Sequence, residues 1–308
     1  MTGAAQSASP ARGTARRASG GRWGRAADRG NPAAAARHLS VPARGLVALL
    51  MALASPAVGL PQTGSSRAPP QRVASLNLCT DELALELAAP RQLVSVTWLA
   101  ADPDETRLAP RARGLRLNNG RLDSVADLKP DLVLTSGPAN RYAAELARRM
   151  GSHVVEVPWA DTPAEVRDGI ARVAAALGRE DAGRALIARY DADLGALPER
   201  RVRALYLGQG GSAARPRGLA ATYFAHAGAE LAGAGGPVAM ERLVASPPTV
   251  LILSTYRAGQ ASLGRRWLEH PALARLPSRR MALDGRGWSC LGPEAARSIP
   301  ALRDALGR

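Results

Sequence analysis

A fifteen-residue pattern occurs twice in this 308-residue chain, with its two copies 118 positions apart. The first copy, LDSVADLKPDLVLTS, spans Leu122 to Ser136, and the second, MERLVASPPTVLILS, spans Met240 to Ser254. In each copy an acidic residue is followed by a proline and then by an apolar run that ends in serine. Because proline stops a helix and an apolar run is typical of a buried strand, each copy predicts a short helix leading into a parallel strand. The repeat therefore predicts two similar α/β lobes with a cleft between them.

Strand-like and helix-like segments alternate along both halves of the chain, which predicts mostly parallel sheets covered by helices. Thr80 is the predicted N-cap of the first helix, and the stretch from Ala101 to Asn119 is predicted to be a loop. The predicted strands cover 72–77, 92–97, 131–135, 153–157, 201–207, 249–254 and 280–283, and the predicted helices cover 80–89, 140–150, 222–231, 263–276 and 294–306.

Between the two halves lies a long helical stretch that contains no predicted strand. Apolar residues recur at helical spacing from Val166 to Leu177 and, after an interruption at Gly178, as far as Leu197. This stretch predicts a rigid spacer joining two Rossmann-like lobes. The expected organisation is an extension with a signal peptide at 1–57, a linker at 58–71, an N-terminal lobe at 72–160, a helical spacer at 161–199 and a C-terminal lobe at 200–308.

The net charge of +15 is concentrated in the N-terminal segment, since residues 1–72 contain ten Arg and one Asp. Within it, Arg44 precedes an apolar run from Leu46 to Ala54, and small residues follow. This arrangement is typical of a secretory signal and is too short to span a membrane. We therefore expect export to the periplasm, and we do not expect nucleic-acid binding, because the rest of the chain shows no basic and aromatic face.

Catalytic and metal-binding motifs are weak. The nominal G-x-G-x-x-A pattern at Gly208 is not followed at once by a helix, as a dinucleotide site requires. The four histidines show no ligand spacing, so neither a cofactor nor a metal site is expected. Cys79 and Cys290 are expected on loops that face each other across the cleft. A disulfide between them suits an oxidising compartment, but it would hinder ligand entry, and free thiols are expected.

Aromatic residues fall on loops, two of them directly after predicted strands. Trp98 and Trp159 follow strands in the first half, Tyr256 follows one in the second, and Trp288 lies in a later loop. Because ligands of open parallel sheets bind at the carboxyl ends of the strands, these side chains are candidate contacts for a bulky organic ligand. The alternative is that each ring only packs its loop against its own lobe.

Asp123 and Glu241 occupy the same position in the two copies of the repeat. An acid in the first turn of a helix stabilises the helix dipole, which explains either residue alone. That explanation does not account for an acid at the equivalent place in both lobes.

These features together resemble class III periplasmic binding proteins, which serve ABC importers of vitamin B12 and ferric siderophores. The resemblance covers residues 72–306 and depends on RVASLNLCTDELALEL, LKPDLVL, the two-lobe repeat, the helical spacer and the closing W-x-C-x-G-P segment. It implies ligand capture without catalysis by a monomer that delivers its ligand to an ABC permease dimer with its ATPase. It also implies that Asp123 and Glu241 dock onto the permease, Asp123 being shorter than the glutamate usual there. The cleft residues that it implies are Cys79, Thr80, Trp98, Ser136, Gly137, Tyr256 and Trp288, to which the position of Trp159 adds a further candidate.

Two questions stay open at the level of sequence. Aromatic loops favour a corrinoid, whereas an anionic siderophore would need convergent arginines, for which Arg141, Arg257 and Arg286 are candidates. The other functional classes are a secreted or cytosolic α/β enzyme and a ligand sensor that transports nothing. The enzyme would need a base or nucleophile at the strand ends, and none is evident.

Overall fold

Two mostly parallel sheets, one from each half of the chain, form the framework of the protein. The computed structural model describes residues 68–137 and 141–307. The first sheet contains β1 (Val73–Ser75), β2 (Leu93–Thr97), β3 (Arg116–Asn118), β4 (Leu132–Ser136) and β5 (His153–Val157). Its strands lie in the order β3-β2-β1-β4-β5, and every pair is parallel.

The second sheet repeats this arrangement and adds two short strands. It contains β6 (Val202–Leu207), β7 (Ser212–Ala213), β8 (Ala229–Leu231), β9 (Gly236–Pro237), β10 (Val250–Ser254) and β11 (Arg279–Leu283). Strand β6 pairs in parallel with β8 and β10, and β10 pairs in parallel with β11. The short strands β7 and β9 run antiparallel to their neighbours at the other edge.

Helices cover both sheets and connect them. They are α1 (Leu78–Leu87), α2 (Arg141–Arg149), α3 (Pro163–Leu177), α4 (Glu180–Leu194), α5 (Leu219–His226), α6 (Met240–Ala245), α7 (Leu263–Leu268), α8 (Pro271–Ala274), α9 (Pro293–Ala296) and α10 (Ile299–Gly307). A 3-10 helix at Leu122–Leu128 takes the place in the first repeat copy that α6 takes in the second.

The two copies of the sequence repeat occupy equivalent places in the two sheets. Strand β4 lies beside the first strand of its lobe, with Leu132 opposite Val73, and β10 lies beside β6, with Val250 opposite Ala204. The order β2-β1-β4-β5 in one sheet therefore corresponds to β8-β6-β10-β11 in the other. The predicted α/β architecture of two similar, mostly parallel lobes is confirmed.

Three local predictions are wrong, each for a physical reason. The N-cap of α1 is Asn77, whose side chain accepts from the Cys79 amide, whereas Thr80 lies inside the helix. Strand β3 was missed because it is a three-residue edge strand whose first two residues are exposed, so it has no buried apolar run. The helix predicted to reach Leu231 ends at His226, and Gly228 (φ 92°) turns the chain into β8.

The helical spacer is a pair of packed helices rather than one rod. Helix α3 begins with a capping box between Thr162 and Glu165 and ends at Gly178, whose φ of 66° reverses the chain. Helix α3 packs against α4, α1 and β5, while α4 also packs against α9 and α10 of the second half. The pair thus attaches to both lobes.

One apolar core runs through both halves. It joins Val73 and Leu132 of the first sheet to Ile170 and Tyr190 of the helix pair and to Ile252 of the second sheet. The same two halves are also joined covalently, because Cys79 and Cys290 form a disulfide with a Cα–Cα distance of 5.2 Å. The expectation of free thiols is therefore wrong: the first turn of α1 and the loop before α9 are held close enough for a bond.

No helix in residues 68–137 and 141–307 is long and apolar enough to cross a membrane. The predicted signal peptide and the first part of the predicted linker lie outside the described residues.

Replacing both cysteines by alanine should lower the free energy of unfolding by about 2–5 kcal/mol, because the bond closes a long loop in the unfolded chain. The Cys79–Cys290 separation is 211 residues. Denaturant unfolding measures the loss, and Ser289→Ala, which keeps the bond, is the control. Alkylation of two thiols in the native, non-reduced protein would contradict the crosslink.

Candidate functional site

A hollow of about 350 Å³ lies between the two halves, at the carboxyl ends of β4 and β5. Ser136 ends β4, Val157 ends β5, and the segment from Ser289 to Pro293 supplies the wall from the second half. Ligands of open parallel sheets bind outside the carboxyl ends of the strands. This hollow, called the interlobe pocket below, is completed by Cys79, Glu82, Leu83, Pro158, Trp159, Ala160, Glu165, Val166 and Gly169.

A hollow larger than the interlobe pocket lies elsewhere in the structure. A hollow of about 750 Å³ adjoins Pro69, Gly178 and Asp131. It lies at the amino ends of β4 and β5, where Leu132 and His153 begin these strands. Because strand topology, and not volume, determines where such sheets bind ligands, the interlobe pocket is the better candidate.

Trp159 supplies an aromatic ring to the interlobe pocket, with 72% of its surface accessible. Its ring lies directly on Gly137, since a Cβ built on that glycine would be 3.1 Å from two ring atoms. Gly137 also has a φ of 77°, so the position favours glycine both for its backbone and for the ring above it. Sequence reasoning placed both residues at the cleft, and the structure brings them together.

Two adjacent acids on α1 are buried beside the pocket. Asp81 accepts hydrogen bonds from the amide (3.1 Å) and the hydroxyl (2.5 Å) of Thr97, and burial raises its pKa to about 7. Glu82 lines the pocket with 3% of its surface exposed, and burial raises its pKa to about 8. The Glu82 Oε1 atom has no hydrogen-bond partner among the described residues.

Sequence analysis missed Glu82, because an acid in the first turns of a helix is readily explained as a partner of the helix dipole. The available signal was the segment LCTDELALEL, whose apolar residues are spread around the helix and do not form one stripe. A helix with apolar residues on all sides is predicted to be buried. An acid on such a helix is buried too.

Glu165 is an ionised acid at the edge of the same pocket. Hydrogen bonds from the amides of Asp161 (2.7 Å) and Thr162 (3.0 Å) hold the pKa of its carboxyl below the usual value. The pocket therefore combines apolar walls with one buried acid and one exposed acid.

The other predicted cleft residues lie elsewhere or are otherwise engaged. Cys79 and Ser136 line the pocket, but Thr80 is fully buried and its hydroxyl bonds Ser75 Oγ (2.8 Å). Trp98 is 53% exposed and does not line the pocket. Trp288 packs on Tyr206 and Phe224, and its Nε1 donates to Ser298 Oγ (3.0 Å), so its ring belongs to the packing of its own lobe.

Tyr256 and Arg257 take part in a polar contact between the lobes. The Tyr256 hydroxyl donates to Glu105 at 2.7 and 2.8 Å. Arg257 donates through Nε to Glu105 (2.8 Å) and through Nη2 to Asp102 (2.8 Å). Arg286 is engaged in the same way by Asp284 (2.8 Å). These two candidate arginines are thus neutralised by carboxylates of the protein.

Asp123 and Glu241 are both exposed, in the first turns of the two equivalent short helices. Arg121 pairs with Asp123 (3.1 Å), and this hydrogen bond holds the pKa of Asp123 below its usual value. Neither acid lines the pocket.

Among the described residues, no group of three His, Cys, Asp or Glu side chains is placed to hold a metal ion.

The model of the periplasmic binding protein family matches residues 73–278, about two thirds of the chain. No curated protein sequence matches it. Among solved structures, the periplasmic heme-binding protein RhuT from Roseiflexus sp. RS-1 is similar over 77% of this chain and 97% of its own, with 22% identity and a TM-score of 0.61.

Two further structures show the same fold with other ligands in their descriptions. The vitamin B12 binding protein BtuF of Vibrio cholerae has 19% identity and a TM-score of 0.52, over 78% of this chain and 97% of its own. The siderophore binding protein BauB, bound to acinetobactin and ferric iron, has 16% identity and a TM-score of 0.60, over 77% and 93%. At these identities the likeness establishes the fold and not the ligand.

Glu82→Gln should make stability less dependent on pH. A carboxyl whose folded-state pKa is raised from 4.5 to about 8 stabilises the fold while neutral and loses that contribution as pH rises through this range. At about pH 8 the variant should be more stable than the wild type by about 1–3 kcal/mol, because glutamine carries no buried charge. Unfolding from pH 5 to pH 9 measures the difference, with Glu165→Gln as the control. Parallel profiles for wild type and Glu82→Gln would contradict the assignment.

Proposed function

Because the chain belongs to the periplasmic binding protein family, we propose that it captures a small organic ligand between its lobes and delivers it to an ABC permease dimer with its ATPase. The interlobe pocket is the observation that carries this proposal, since both halves of the chain supply its walls at the carboxyl ends of parallel strands. Its exposed Trp159 offers a flat face to an organic ligand.

The proposed ligands are a corrinoid or a ferric siderophore, and haem is a third candidate because relatives of the same fold bind it. A volume of about 350 Å³ is at the low end for a drug-sized ligand, so the pocket holds one edge of a macrocycle. The rest of such a ligand would lie over Trp159.

Export to the periplasm is part of the proposal. The Cys79–Cys290 disulfide supports it, because structural disulfides persist in oxidising compartments such as the periplasm. The match to the periplasmic binding protein family also supports export.

Docking on the permease is proposed for Asp123 and Glu241. They are exposed, and they lie on equivalent short helices, one in each half of the chain. Paired acids in this arrangement suit a partner with two related basic surfaces.

Trp159→Ala should weaken ligand binding by about 1–3 kcal/mol, the usual loss for one well-packed aromatic contact. Calorimetry with cyanocobalamin, cobinamide, haem and several ferric siderophores identifies the ligand and measures the loss. Trp98→Ala is the matched control, because Trp98 is exposed but does not line the pocket. Trp288→Ala should instead lower stability. Unchanged affinity in Trp159→Ala would place the ligand elsewhere.

Charge reversal at both docking acids, Asp123→Lys with Glu241→Lys, should abolish uptake through the cognate permease and leave ligand affinity unchanged. Like charges would then meet at both contacts. Asp123→Glu should keep uptake. The control is Glu199→Lys with Asp304→Lys, which changes the net charge equally at two other exposed acids. Uptake that survives the first pair, or ligand affinity that is lost with it, would refute the docking role.

A further inference from the structure

The interlobe pocket has acidic side chains and no basic ones. Among the described residues that line it, the ionisable groups are Glu82 and Glu165. A ligand carboxylate buried here would meet no basic side chain in the lining to compensate for its lost hydration, which is costly in an apolar pocket. The lining therefore disfavours anionic groups on the part of the ligand that enters.

The arginines of the interlobe contact do not supply the missing positive charge. Arg257 is held by Glu105 and Asp102, and Arg286 is held by Asp284. An anionic ligand that recruited either of them would first have to displace a carboxylate of the protein. Such an exchange replaces one ion pair by another and gains little.

Glu82 presents an unsatisfied hydrogen-bonding atom at the same place. Its Oε1 is buried and has no hydrogen-bond partner among the described residues. A buried polar atom left without a partner is destabilising. The terminal torsion of glutamate is broad, so rotation of the carboxyl can turn either oxygen toward the pocket. A ligand group that pairs with it would remove this cost.

We propose that Glu82 is a specificity-determining residue, which in its neutral form pairs with an uncharged amide of the ligand and excludes ligands that would place a carboxylate there. The inference rests on the proposed binding function. A neutral carboxyl and a primary amide are complementary, because the carboxyl O–H donates to the amide oxygen while the amide N–H donates to the carboxyl oxygen. Both groups are then satisfied without any buried charge.

The proposal has a defined dependence on pH. The charged groups around Glu82 are Asp81 on its own helix, Glu165 on α3, and Arg107 and Arg297, which lie near Glu294 as well. Burial dominates over these charges and raises the pKa of Glu82 to about 8. A bound ligand removes the remaining water and favours the neutral form further. Affinity for an amide-bearing ligand therefore falls as pH rises above about 8.

Two classes of ligand carry uncharged amides: corrinoids, with their peripheral primary amides, and peptide-like siderophores, whose secondary amides can make one of the two hydrogen bonds. The test uses probes from both. Cyanocobalamin is compared with its three monocarboxylic derivatives, in each of which one propionamide is replaced by a propionate. Ferrichrome, which is uncharged and contains amides, is compared with ferric citrate.

Calorimetry at about pH 7 should show at least one monocarboxylic derivative bound about ten- to a hundredfold more weakly than cyanocobalamin, the loss expected when a buried polar group is left unpaired. In Glu82→Gln the penalty should no longer grow as pH rises, because glutamine does not ionise. Its binding should also be constant from about pH 6 to pH 9. Glu165→Gln should keep the wild-type discrimination and pH profile.

The outcomes separate this inference from the proposed function. Equal affinity for amide and carboxylate probes, or a preference for ferric citrate, would overturn the role of Glu82 and leave the binding function in place. Binding of ferrichrome without cyanocobalamin would support the inference and assign the siderophore class. Absence of binding by every probe and by haem would overturn both. If Glu82→Gln does not fold, the affinities of the wild type for the matched probes, and their dependence on pH, still test the role of Glu82.

Discussion

One buried carboxylate, Glu86, holds three parts of the chain together. Its side chain is only 3% exposed, and it pairs with Arg111 of the first lobe (3.2 Å), Arg189 of α4 (3.3 Å) and Arg297 of the second lobe. A buried charge of this kind is tolerated only when it is well paired, and loss of a partner strongly destabilises the fold. The relative placement of both lobes and the helix pair therefore depends on this group.

The other contacts between the lobes also hold the lobes in place. The shared apolar core, the Cys79–Cys290 bond and the contact between Arg257 and Glu105 all fix the walls of the interlobe pocket. Such walls favour a largely preformed site, which reduces the ordering cost of binding.

The sequence predicted those features that depend on local pattern. The apolar runs of β4 and β10 are buried between neighbouring strands, and such runs are readable without any knowledge of their partners. Position after a strand also pointed to Trp159 as a cleft residue, and the family resemblance pointed to Ser136 and Gly137. The sequence could not show that the Trp288 ring packs on its own lobe, because a position on a loop does not reveal which way a ring faces.

By itself the sequence determined the two-lobe α/β architecture, the equivalent acids Asp123 and Glu241, and the end of the sheet where a ligand would bind. These follow from hydrophobic periodicity and proline position, which act over a few residues. Only the tertiary structure decided that Cys79 bonds Cys290, that Arg257 pairs with Glu105, and that Glu82 is buried and incompletely paired. Each of these contacts depends on the distance between segments far apart in the chain and on the water removed when those segments pack. A local sequence pattern contains no information on that distance or on that loss of water.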